Sequence, residues 1–272
     1  MQLTLAYSPC PNDTFIFDAL VHHRIDTEGL TFDVHLGDVE ELNQLAFAGK
    51  MDVTKLSYHA YGHLTQTYNL LNAGSALGRG VGPLLVTADK DIAGSRVLSE
   101  EAPIAIPGKY TTANYLLGLA YPSLRNKHEV LFSKIETRVL SGEFEAGLLI
   151  HENRFTYHER GLYKISDLGE YWEKQTGLPI PLGGIVIKHS LPEDIKQTFG
   201  RVLARSVAYA FDNPEASADY VATHAQEMDP EVRRKHIELY VNDFSRDLGR
   251  EGHAAVEAFL RQGRERGVLP PR

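Results

Sequence analysis

One cysteine, Cys10, stands in a chain of 272 residues. A lone thiol excludes an internal disulfide and every zinc or iron–sulfur site built from several cysteines, and it fits a reducing compartment. Long apolar runs are missing too. No segment reaches the roughly 18 uninterrupted apolar residues of a spanning helix, so membrane insertion is not expected. The start, MQLTLAYSPCPNDTF, has no basic residue, no apolar stretch of signal length and no small-residue cleavage site; secretion is not expected, and the cytoplasm is. The formal net charge is −8 and no Lys/Arg run is long enough to track phosphate backbones, which argues against a nucleic-acid partner. Absent as well are HExxH, GxSxG, CxxC, GxGxxG and the GK[ST] phosphate loop. Without them metal-dependent hydrolysis, acyl-enzyme chemistry and nucleotide binding lack their signatures, and neither a metal nor a cofactor is expected.

What is present is ordinary for a folded protein: 43% hydrophobic and 24% charged residues, in a chain long enough to build a core without staples. Strand and helix signals alternate. Leu3, Leu5 and Tyr7 share one strand face, SPCPND makes a turn, and Thr14 to His22 carries a helical pattern capped by Asn12 or Asp13. A strand over Leu30 to Leu36, a helix over Val39 to Ala48 and a strand end at DVTKLS follow, then strands near Tyr68 to Ala73 and Gly82 to Thr87. The pattern restarts with PIAIPGKYTTANYLLGLA and HEVLFSKIETRVLSGEFEAGLLIHE, returns through Gly184 to Lys188, and ends in helices with Pro or Asp starts. The expected architecture is α/β with two lobes, a discontinuous one of 1–88 plus 188–272 and an inserted one of 89–187. Two crossings between lobes favour a ligand cleft that closes by hinge motion. No repeat is visible at the level of residue identity.

Five segments hold candidate chemistry, each with a plainer alternative. SPCPNDT offers Ser8, Asn12, Asp13 and Thr14 where a strand gives way to a helix, suited to a carboxylate or sugar hydroxyl, or it is a proline-stiffened turn. In TKLSY, Lys55 and Ser57 are one strand period apart and project from one face; the alternative is a solvated lysine beside a capping serine. ALGRGVGPL holds Arg79 among Gly78, Gly80 and Gly82, where backbone and guanidinium can approach a ligand or simply make a turn. PGKYTTAN puts Thr111 and Thr112 at a helix start, where hydroxyls, free amides and the positive dipole end meet; a cap alone needs only one of them. GLLIHENRFTY places His151 and Glu152 just after a buried strand. His151 is the natural general-base candidate, its ordinary pKa of about 6.5 leaving much of it neutral near pH 7, yet it is one of 12 histidines.

Taken together, SPCPNDTF (8–15), TKLSY (54–58), ALGRGVGPL (76–84), PGKYTTA (107–113), GLLIHENRFTY (147–157) and TGLPIPLGGI (176–185) resemble the 1,4-dihydroxy-6-naphthoate synthase family of the futalosine route to menaquinone. The resemblance runs along nearly the whole chain. It implies a fold like type II periplasmic binding proteins and a cofactor-independent carbon–carbon lyase that acts on cyclic dehypoxanthine futalosine, a small anionic carbocycle joined to a sugar-derived ring. It matches His151 to the family's proton acceptor, and Lys55, Leu56, Ser57, Thr111 and Thr112 to its substrate-binding segments; Asn12, Asp13, Thr14 and Arg79 join them as further contacts. Two competitors stay open at this point, a solute-binding protein of the same fold and the chorismate dehydratase of the same pathway.

Overall fold

The alternation in QLTLAY makes a strand, β1 (Gln2–Tyr7), whose Leu3, Leu5 and Tyr7 are fully buried. The computed structural model describes residues 1–151, 153–226 and 229–271. After β1 come α1 (Pro11–Val21), β2 (Thr31–Leu36), α2 (Val39–Phe47), β3 (Val53–Ser57), α3 (Tyr58–Leu64), β4 (Tyr68–Leu70) and β5 (Ala76–Gly78). Asn12 and Asp13 do not cap α1, contrary to expectation. The helix starts earlier because Pro11, with its fixed φ and missing N–H, occupies the first helical position behind Cys10. Asn12 and Asp13 therefore lie in the first turn, with side chains available for tertiary bonds.

The next group is β6 (Leu84–Thr87), α4 (Lys90–Ser95), β7 (Ile104–Ile106), α5 (Thr112–Ala120), β8 (Lys127–Glu129), α6 (Phe132–Leu140), β9 (Ala146–Leu149), α7 (Asn153–Thr156), β10 (Tyr163–Asp167) and α8 (Leu168–Thr176). The chain then enters β11 (Ile180–Lys188) and finishes in α9 (Glu193–Asp212), α10 (Ala218–His224), α11 (Pro230–Tyr240), α12 (Asp243–Arg246) and α13 (Gly249–Glu265). Two units result, Met1–Gly78 with Pro181–Arg272, and Arg79–Ile180. The expected boundary at 88 put Gly82 to Thr87 in the first lobe. Instead β6 pairs with β9 (Leu84 opposite Leu149) and with β10, so it belongs to the second sheet. Alternation announces a strand but not its partners.

The first unit's sheet runs β2-β1-β3-β11-β4, with β5 also on β11; the second runs β8-β7-β9-β6-β10. In both, the first three strands are mutually parallel, the fourth runs against them, and the fifth, antiparallel to the fourth, runs with the first three. The two sheets thus share one topology.

The first core gathers Leu5, Tyr7, Phe17 and Leu20 against Phe199, Leu203 and Val207 of α9. Buried α9 positions 199, 202, 203, 206, 207 and 210 follow the helical period and form one stripe. Within it the Ser206 hydroxyl donates to the Ile16 carbonyl at 2.6 Å and accepts from the Leu20 amide at 3.1 Å, pinning α9 to one turn of α1. The second core packs Leu84, Val86 and Leu149 against Ile135 and Val139 of α6, with Leu162 beside them.

Candidate functional site

In each unit the chain leaves one strand, pairs its successor on one side, and returns to pair the next on the other. Such a switch of direction opens a crevice at the carboxyl ends of the two strands involved, the place where open α/β sheets take ligands. For the first unit these strands are β1 and β3, followed by Asn12–Asp13 and ending in Lys55–Ser57. For the second they are β7 and β9, followed by Thr111–Thr112 and His151.

At the first switch point Asp13 is the hub. Its carboxylate accepts from the Ser8 amide (3.2 Å) and hydroxyl (2.7 Å), the Asn12 side-chain amide (2.8 Å) and the Lys55 ammonium (2.7 Å). Both members of the ion pair are buried, so the four donors offset the cost of removing the carboxylate from water. Lys55 also faces the Gly74 carbonyl at 3.5 Å. Ser57 is held by Asn43 of α2, whose side-chain oxygen accepts from the Ser57 amide at 3.0 Å and whose nitrogen donates to the hydroxyl at 3.3 Å. Leu56 alternates to the opposite face and is buried. The Thr14 hydroxyl is spent on the Cys10 carbonyl at 3.1 Å, a bond inside its own helix. Asn12 turns its oxygen to Nε2 of His236, 2.8 Å away on α11. On β11, a Cβ at Gly183 would lie 2.9 Å from the Leu56 carbonyl oxygen and 3.2 Å from Lys55 Cε; glycine there lets the lysine stem lie along the strand.

At the second switch point Thr111 is the N-cap of α5, accepting from the Asn114 amide at 3.3 Å and donating to the Gly108 carbonyl at 2.8 Å. Thr112 is the first helical residue and is buried. His151 follows β9 with φ +58°, a left-handed conformation that His tolerates better than most residues. Its ring lies against Phe132, centroids 4.9 Å apart and planes at 60°. The segment after it is tied down by its arginines: Arg154 donates to the Gly82 carbonyl at 2.7 Å and reaches Asp167 at 3.4 Å, and Arg160 pairs at 2.7 Å with the buried Glu136 of α6. Glu152 lies outside the described residues.

Arg79 has a described partner at the end of α8. It donates to the Gly177 carbonyl at 3.0 Å, the left-handed end of α8, while the Gly80 amide donates to Glu173 at 2.7 Å. Gly82 comes close to backbone, as the glycines suggested, but to that of Gly169: an added Cβ would sit 2.2 Å from Gly169 Cα. Behind the first cluster the hydroxyls of Tyr7 and Tyr220 meet at 2.7 Å, and burial pushes both phenols above their ordinary range, so both stay neutral. Asn43, His236, Phe132 and Gly183 escaped the sequence reading. Each acts through a contact distant in the chain, and only the GG of TGLPIPLGGI carried a local signal. Among the described residues no group of three or more His, Cys, Asp or Glu is arranged to hold a metal, and no helix is long and apolar enough to cross a membrane.

Two α/β units of one topology, each with polar side chains at the carboxyl edge of its strands, define the class: this is a periplasmic-binding-protein-like fold. A Candida albicans protein described by that generic fold aligns with TM-score 0.72 at 12% identity, covering 100% of this chain and 92% of its own. The chain belongs to the menaquinone-biosynthesis family, whose sequence profile matches residues 3–265. A 1,4-dihydroxy-6-naphthoate synthase from Thermus thermophilus is 45% identical over 269 residues, 99% of this chain and 96% of the relative. The synthase of the same name from Streptomyces coelicolor is 44% identical, covering 98% and 95%. A solved structure of an Archaeoglobus fulgidus protein aligns with TM-score 0.92 at 34% identity over 98% of both chains. With relatives of this identity and coverage, the chain is an enzyme.

Proposed function

We propose that this enzyme converts cyclic dehypoxanthine futalosine to 1,4-dihydroxy-6-naphthoate, with His151 as general base. The observation that carries the reading is near-full-length identity of 44–45% to two synthases of that name. In support, His151 stands at the carboxyl end of a parallel strand with its ring braced by Phe132, as a base that must keep one orientation requires. Neutral imidazole removes a substrate proton, a carbon–carbon bond cleaves with release of a sugar-derived fragment, and the aromaticity gained by the naphthalene favours the product. The substrate's carboxylate and hydroxyls fall to Lys55, Ser57, Thr111 and Thr112, groups suited to anions by charge or by position at a helix start. Asp13 serves by holding Lys55. A cytoplasmic site of action belongs to the same reading, in keeping with the lone buried thiol of Cys10. Incubation of purified protein with cyclic dehypoxanthine futalosine tests it: a product with the mass and absorbance of the naphthoate is expected, and recovery of intact substrate would refute it.

A further inference from the structure

One line of hydrogen bonds runs from α11 to β3. Nε2 of His236 lies 2.8 Å from Asn12 Oδ1, Asn12 Nδ2 lies 2.8 Å from Asp13 Oδ1, and that same oxygen accepts from Lys55 Nζ at 2.7 Å. The four residues are 0%, 8%, 1% and 8% exposed, so the line is largely shielded from bulk water. The direction of each bond follows from the charge at the centre. A carboxylate only accepts, hence Asn12 presents its nitrogen to Asp13 and its oxygen to His236; an amide oxygen only accepts, hence Nε2 of His236 carries a proton.

We propose that His236 is a positioning residue for substrate binding: by donating to Asn12 it fixes the amide that orients Asp13, and through Asp13 the Lys55 ammonium. The proposal rests on the reading that Lys55 binds the substrate. His236 is fully buried, with its ring against Tyr240 one turn further along α11 (centroids 4.7 Å), so it acts on the site from behind, through the Asn12 amide. Lys55 has three N–H bonds. One goes to Asp13 and one faces the Gly74 carbonyl; the angle of the carboxylate sets where the third points. Without the His236 donor the Asn12 amide keeps no partner on its oxygen from this side and is free to rotate, which loosens one of the four donors of Asp13.

The test compares the full-length native enzyme with His236→Leu, which keeps bulk and removes the donor, His236→Gln, which keeps a donor, and Lys55→Met, using cyclic dehypoxanthine futalosine. Loss of one buried hydrogen bond predicts that His236→Leu raises KM about tenfold, with kcat within about twofold, and that His236→Gln recovers most of the loss. Lys55→Met should raise KM at least as far. Nitrogen-15 NMR of the histidine rings should show His236 protonated on Nε2. A native KM per folded molecule in His236→Leu beside a raised KM in Lys55→Met overturns the proposal and leaves the site reading intact. No effect of Lys55→Met removes the site reading, and the positioning role with it. Should the His236 variants fail to fold, the native spectrum decides: a ring bare at Nε2 overturns the line of bonds. A native enzyme without turnover refutes the function alone, and calorimetric affinity for the same compound then replaces KM in the comparison.

Discussion

His151 combines two demands in one residue, a basic nitrogen and a left-handed backbone. The conformation stores on the order of 1–3 kcal/mol and persists only where surrounding contacts hold it, as strained residues at functional sites do. Asparagine tolerates the same backbone but has no basic nitrogen, so His151→Asn separates the two demands. Its kcat should fall by roughly 10²–10⁴ with a native circular dichroism spectrum and melting temperature, and the acidic limb of the kcat/KM profile should vanish; near-native turnover removes His151 from the mechanism. Asp13 offers the opposite case, a charge whose work is internal. Asp13→Asn leaves the Lys55 ammonium buried without its counter-charge, which should cost on the order of 3–5 kcal/mol in urea unfolding, part of it regained when Lys55→Met is added. Losses in the two single variants that simply add in the double variant would show that the pair is not coupled. The sequence exposed Asp13, Lys55 and His151 as polar residues at element ends. It could not show that Asp13 faces Lys55, because a contact across 42 positions is created by the pairing of β1 with β3, nor that the αL turn at His151 is braced by a phenylalanine on another helix.

Helix starts and strand periods were the most legible features at the level of elements, since Pro230 and the Asp38 cap act within a few residues of themselves. Sheet membership was not legible, and β6 shows why: its partners β9 and β10 lie about sixty and eighty residues later in the chain. The α5 start was legible in full, and its two threonines divide their duties. Thr111→Ala removes the cap and should cost about 1 kcal/mol of stability. Joint replacement of Thr111 and Thr112 by Ala should also weaken substrate binding by roughly 1–3 kcal/mol in calorimetry, and unchanged affinity would take the α5 start out of the site. A second element-level tie has a pH signature. Arg201 and Arg205 of α9 donate to Glu28, before β2, and hold its carboxyl at about 2. The folded value lies below the unfolded one of about 4.3, so this contribution is present above that pH and is lost as pH falls toward 2. Glu28→Gln should flatten the acid limb of the stability profile between these two values, measured by urea unfolding at stepped pH; an unchanged slope would exclude the pair.

At the scale of the molecule, the two sheets repeat one order without repeating residues, so topology is conserved between the units where sequence is silent. The repeat was unreadable beforehand because strand order is a property of pairing: the fourth strand of the sheet comes last in the chain in the first unit (β11) and first in the second (β6). The second unit owns its sheet and its core, from which residues 79–180 alone should give a folded domain with dispersed amide NMR signals; a collapsed, non-cooperative spectrum would refute this. The first unit is different. Its β3 and β4 are joined in the sheet only through β11, which the chain reaches after the whole of the second unit has been made. On a ribosome adding about 5–20 residues per second, the segment from Arg79 to Ile180 occupies roughly 5–20 s of synthesis. For that interval β3 and β4 have emerged without the strand that joins them. Vectorial synthesis therefore reverses the order of the chain: the inserted unit closes first, and the N-terminal strands, including the one that carries Lys55, wait for their last partner with an open edge that chaperones can hold.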